Sequence, residues 1–146
     1  MSILGSILNK CLTTSPIAYT ATGTSTISGT AVDMQGFDGV LFIVKLSVAN
    51  AGNYLTAQQG ALANGSDAAD LAGTKVIGLV ADNAIVLDVY RPTGRYVRPQ
   101  VIRGGATTII YSCVAIRYNC HKKPTTNTVA NVCDSVTVVS PALGTP

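Results

Sequence analysis

The chain contains no tryptophan and no glutamate, and only 12% of its 146 residues are charged. Each shortage excludes something. Glutamate is a staple of exposed helix faces, and in its place the sequence is rich in Val, Ile, Thr and Gly. A branched Cβ sits comfortably on a pleated strand and is restricted in a helix, so the composition argues for an all-β protein. Charge at about half the usual ~25% points to a surface that partners cover, since a solitary soluble chain carries more. Aromatics at 5% leave little with which to stack bases or sugars. A net charge of +3 is too weak to mark a nucleic-acid binder, so no specific nucleic acid is expected. No apolar run approaches the ~20 residues that span a bilayer, and no membrane partner is expected. The apolar stretch at residues 1–8 is followed by Lys10, whereas secretory signals carry their positive charge first. With four cysteines at irregular spacings (Cys11, Cys113, Cys120, Cys133), this reads as intracellular synthesis with reduced, unpaired thiols.

What is present is alternation. Val40, Phe42, Val44, Leu46 and Val48 fall on one face of a strand, with Leu41, Ile43, Lys45 and Ser47 on the other. The first face must be core, and Leu41 and Ile43 imply partial burial of the second, as in a central strand. Residues 19–34 read as one bent strand or two short ones broken near Ser28-Gly29, and residues 54–59, 76–80 and 85–90 as further strands. Residues 66–71 suit one helical turn. Arg91-Pro92-Thr93-Gly94-Arg95 has the chemistry of a hairpin turn, with proline presetting φ and glycine supplying a left-handed residue. The strand expected after it, residues 96–103, places Val97, Pro99 and Val101 on one face, and Pro99 predicts an edge or a bulge because it cannot donate to a ladder. Residues 107–118 form a last long strand. About seven to nine strands at short intervals make a β-sandwich or jelly roll. The expected organisation is an N-terminal arm over residues 1–17, a body over 18–120, and an extended C-terminal arm over 121–146.

Chemistry-bearing groups are few. His121 stands beside Cys120, but neighbours on an extended strand point to opposite faces, and no third group in the sequence orients them as nucleophile and base. The histidine is expected to be solvated and the chain not to be an enzyme. No cysteine pair has the clamp spacing of zinc, and Asp67, Asp70 and Asn64 read as a loop of Asx turns in preference to a calcium site. No metal and no cofactor are expected. One cluster does stand out: Arg91, Arg95, Arg98 and Arg103, then Arg117. It reads either as a solvated turn or as a surface that docks onto carboxylates of an acidic protein, for which guanidinium forks are suited.

Several stretches resemble a known family. They are Asp33-Met34-Gln35-Gly36-Phe37-Asp38-Gly39-Val40-Leu41-Phe42, Asp70-Leu71-Ala72-Gly73, Leu87-Asp88-Val89-Tyr90-Arg91-Pro92 with Arg95-Tyr96-Val97-Arg98, Ala115-Ile116-Arg117-Tyr118 with Lys122-Lys123-Pro124, and Val139-Ser140-Pro141. Together they are similar to the capsid decoration, or cement, proteins of tailed bacteriophages. The resemblance implies a virion structural protein with a jelly-roll body, often a homotrimer, made in the host bacterial cytoplasm and bound between subunits of the major capsid protein. The interface residues hypothesised from the arginine cluster and from these stretches are Arg91, Arg95, Tyr96, Arg98, Lys122, Lys123, Pro124, Val139 and Pro141. Alternatives in other classes are a neck, tail or head-fibre component and, with so few aromatics, a less suited carbohydrate- or host-binding β-sandwich.

Overall fold

Period-two alternation decides which side chains of this chain become core. The computed structural model describes residue 7 and residues 10–122. Ten strands lie among them: β1 (Leu12–Ile17), β2 (Ile27–Ser28), β3 (Val32–Asp33), β4 (Phe37–Leu46), β5 (Tyr54–Gly60), β6 (Ala69–Asp70), β7 (Val76–Ile77), β8 (Ala84–Tyr90), β9 (Tyr96–Ile102) and β10 (Ile110–Cys120). All pairings are antiparallel. One sheet has the order β1-β10-β4-β8; the other has β2-β9-β5-β6, with β3 also on β9 and β7 also on β5. The described residues hold no α-helix.

The two sheets face each other across one core. From the first come Val40, Phe42, Val44 and Leu46 of β4, Ile85, Leu87 and Val89 of β8, and Ile110, Cys113 and Ala115 of β10. From the second come Leu55 and Ala57 of β5 and Val97 and Val101 of β9. The faces of β4 are those the alternation requires, and Leu41 and Ile43 are half-buried on its outer side. Val48 lies beyond the strand and is half-buried. On that outer side the rings of Tyr90 and Tyr118 flank Gly39 in register and lie parallel, 6.5 Å between centroids. A Cβ at Gly39 would collide with the Tyr118 ring in its present position, so any larger residue there requires that ring to shift.

Four expectations are corrected. Residues 12–17, assigned to an arm, form β1: Leu12, Thr13 and Thr14 pair with Arg117, Ile116 and Ala115, and Ile17 is buried. Residues 66–71 form no helical turn; Ala69–Asp70 pairs with Gln59 and Gln58 instead. Residues 91–95 do not close a hairpin, because β8 pairs with β4 in one sheet and β9 with β5 in the other. The segment is a crossover between layers. Pro99 sits on an internal strand, between β5 and the β2/β3 side. Its carbonyl accepts from Gly29 N–H, so its ring nitrogen faces the same way, toward the break between β2 and β3 where no ladder bond is lost.

At the end of the sandwich where β4 finishes, polar groups are sealed between the layers. Buried Asn53 donates to Val48 O at 3.1 Å and accepts from Gly104 N–H at 2.8 Å and Thr108 Oγ1 at 3.1 Å. Buried Arg103 donates from Nε to Ser25 O at 2.8 Å and from one terminal nitrogen to Ala21 O at 2.7 Å and Thr108 O at 3.2 Å. Backbone carbonyls shielded from water need a donor, and the buried guanidinium supplies one to Thr108 and to the part-buried carbonyls of Ala21 and Ser25.

Candidate docking site at the sheet crossover

The opposite end is open. There the chain leaves β8 at Tyr90, crosses between the layers and enters β9 at Tyr96. Arg91 adopts a left-handed backbone, φ 52°, uncommon for a residue with a Cβ. It is held by its N–H, which donates to Asp38 O at 2.7 Å. Gln59 fastens the middle of the crossover: its carbonyl oxygen accepts from Thr93 and Gly94 N–H at 3.1 and 3.0 Å, and its amide donates to Thr93 Oγ1 at 2.8 Å. A cavity of about 620 Å³ lies against this segment, lined among others by Met34, Phe37, Asp38, Pro92, Arg91 and Arg95.

The arginines at this mouth differ in their wiring. Arg95 makes a two-pronged pair with Asp33, 3.0 Å from Nε and 2.8 Å from a terminal nitrogen, and also donates to Gln35 at 2.7 Å. The Arg95 guanidinium holds the Asp33 carboxyl below its ordinary value, helped by the Gln35 N–H and opposed by burial. Arg91 lies over the Tyr90 ring, 5.2 Å from its centroid, and has no ion-pair partner among the described residues. It is the exposed cation on the rim that is free to take a carboxylate from outside. Tyr96 underlies Arg95 at 5.1 Å.

The other expected site residues are dispersed. Arg98 lies on the outer face of the second sheet, donating to Gln58, which in turn donates to Asp70. Lys122 is exposed just past β10. Lys123, Pro124, Val139 and Pro141 lie outside the described residues, as does Cys133. Arg103 leaves the cluster altogether, whereas Arg117 stays beside it behind Asp33. Arg117 is half-buried, donates to Asp33 O at 2.8 Å, lies 5.0 Å from the Phe37 ring centroid, and keeps a buried Nε without a hydrogen-bond partner. Burial pulls its guanidinium below the ordinary range. Compared with known protein families and with curated sequences, the chain matches none.

His121 is solvated, as expected, with its side chain 64% exposed, but it also has a partner that the sequence did not announce. Its ring Nε2 is 2.9 Å from Asp38 Oδ1, and its N–H donates to Gly36 O. The pair borders the cavity through Asp38. It spans the sheet from β4 to the end of β10, a separation no local motif could announce. Cys120, on the opposite face as expected, is buried. Cys113 is buried and unpaired, and burial pushes its thiol up to about 12, so it stays protonated and unreactive at neutral pH. Cys11 is raised as well, first by burial and then by the neighbouring Cys120. Asp67 serves its own loop, accepting from Ala61 and Leu62 N–H, and no group of three metal-binding side chains occurs among the described residues.

Proposed function

We propose that this chain is a non-enzymatic virion protein that decorates and cements the capsid shell of a tailed phage, bound between subunits of the major capsid protein. The observation that carries a docking role is the exposed, unpaired Arg91 on the rim of a mouth whose backbone is fixed from Asp38 and Gln59. Pre-organised loops lose little freedom on binding, and a guanidinium beside an apolar floor of Met34, Phe37 and Pro92 suits a carboxylate carried on an apolar surface. The family resemblance supplies the assembly, and the low charge density agrees with a largely covered surface. Jelly-roll connectivity, the extended C-terminal arm and trimeric occupancy of shell sites belong to the same reading. Many modest contacts repeated over a shell act through avidity.

The test is addition of purified protein to shells that lack it, followed by sedimentation and imaging. Binding in fixed ratio to the major capsid protein, weakened at least tenfold by Arg91→Ala together with Arg95→Ala, is the expected result. Attachment confined to one vertex would make it a neck or tail part, and no attachment would defeat the reading.

A further inference from the structure

A sheet edge is a template for another strand unless it is guarded, and natural edges are guarded by proline, bulges, lysine or brevity. Three of the four edges of this sandwich are guarded. In the first sheet β1 carries Pro16 and a register shift between Thr14 and Ile17. In the second, one margin is made of the two-residue strands β2 and β3 and the other of the two-residue strands β6 and β7. The fourth edge is β8, seven residues without proline, lysine or bulge.

The direction of its open groups follows from two hydrogen bonds. Arg91 N–H donates to Asp38 O, and Ser47 N–H donates to Ile109 O, so even-numbered residues of β4 face β8 and odd-numbered ones face β10. Ile85, Leu87 and Val89 therefore bond β4, while Ala84, Val86, Asp88 and Tyr90 turn their N–H and C=O outward, where no described strand pairs with them. Beside the first half of this edge runs a groove lined by Val76, Ile77, Leu79, Val80 and Val86. Ile77, Leu79, Val80 and Val86 are 42%, 64%, 59% and 50% exposed, an aliphatic corner rather than scattered single residues.

Charge selects the occupant. Exposed Asp82 precedes β8 and exposed Arg91 follows it, and neither has an ion-pair partner among the described residues. Antiparallel pairing of two copies brings the Asp82 end of one beside the Arg91 end of the other, twice. The single charge within the strand, Asp88, already accepts from Tyr118 Oη and excludes only the register that sets it opposite itself. We infer that β8 pairs antiparallel with β8 of a second copy across a two-fold axis, joining two four-stranded sheets into one and covering both aliphatic corners. The pair differs from the trimer the family resemblance implies, and it draws on the same Arg91 as the capsid reading, so the two compete for one guanidinium; mass in solution tests the pair and attachment to shells tests the other.

Sedimentation velocity on the full chain should give twice the 15.0 kDa chain mass. Val86→Pro removes an N–H that β4 does not use, so it should leave the far-ultraviolet circular dichroism unchanged and yield a monomer. Should that variant fail to fold, the charges decide: Arg91→Glu should weaken self-association at least tenfold, and Asp82→Lys with Arg91→Glu should restore it. A monomeric or trimeric wild type, a folded Val86→Pro variant that still dimerises, or a double charge reversal that fails to rescue would each overturn the inference. So would an edge that gains hydrogen-exchange protection only on shells, which would assign it to the capsid protein.

Discussion

At the end of the sandwich where β4 meets β5, the space between the layers is filled by Asn53, Arg103 and Thr108, with every hydrogen bond of Arg103 spent on a backbone carbonyl. At the other end, where β8 crosses to β9, the layers stay apart around a cavity, and one guanidinium, Arg91, is left facing out. Both ends use arginine and asparagine or glutamine to hold loops. The difference is whether the charged group is consumed by the loop or left over. A consumed charge closes its end, and in the proposed docking role a left-over charge on a fixed loop is what a partner meets.

The comparison can be broken in steps. Phe42→Ala, in the core between the two ends, should cost about 3–5 kcal/mol in equilibrium unfolding and destabilise both alike. A variant that melts within a degree of wild type would mean that the faces of β4 are inverted. Arg103→Met should cost on the order of 3 kcal/mol, because one buried and two part-buried carbonyls lose a charged donor, and hydrogen exchange should quicken at residues 20–26 and 104–108 while the crossover end stays protected. Asn53→Ala should cost about 2 kcal/mol by the same logic, with faster exchange at Gly104. At the open end, Arg95→Ala should change the melting temperature little, since the Arg95–Asp33 pair is largely exposed and exposed pairs contribute weakly; its effect belongs to docking. The smallest effect is one of pH. Asp33 has a depressed folded-state pKa, so its stabilising contribution is complete above the ordinary 3.8 and is lost as pH falls through the depressed value. Asp33→Asn should flatten that part of the acid limb of a stability–pH curve and leave the neutral region unchanged.

How much of this was legible in the sequence varies by the range of the interaction. The faces of β4 were legible because alternation is local and strong. The crossover was not, because Pro92 and Gly94 serve a sheet-to-sheet connection as well as a hairpin, and only the distant registers with β4 and β5 decide between them. β1 was missed because its short polar run, Thr13-Thr14-Ser15, buries little, and just Pro16 and Ile17 at its end reach the core. The arginines carry a signal that was available. Arg103 lies two residues beyond Val101 on the parity of Val97 and Pro99, and Arg117 two beyond Ala115 on that of Cys113. Parity alone separates these inward arginines from Arg98. Arg91 and Arg95 were read as flanking one turn and both border one cavity, but the group that holds each lies more than fifty positions away.

The position of β10 has a consequence in time. It lies between β1 and β4, so the hydrogen-bonded neighbour that Leu12–Ile17 needs is Ile110–Cys120, nearly the whole described chain later. During synthesis on a ribosome, β4 and β8 can pair, but one flank of β4 stays open and β1 has nothing to join until residue 120 has emerged. Such non-local closure is slow, on the order of milliseconds to seconds for all-β domains. Until it happens the nascent sheet exposes Phe42 and its neighbours, together with an open strand flank, to every other chain being made. A protein built this way depends on β10, the last strand among the described residues, to end its own aggregation risk.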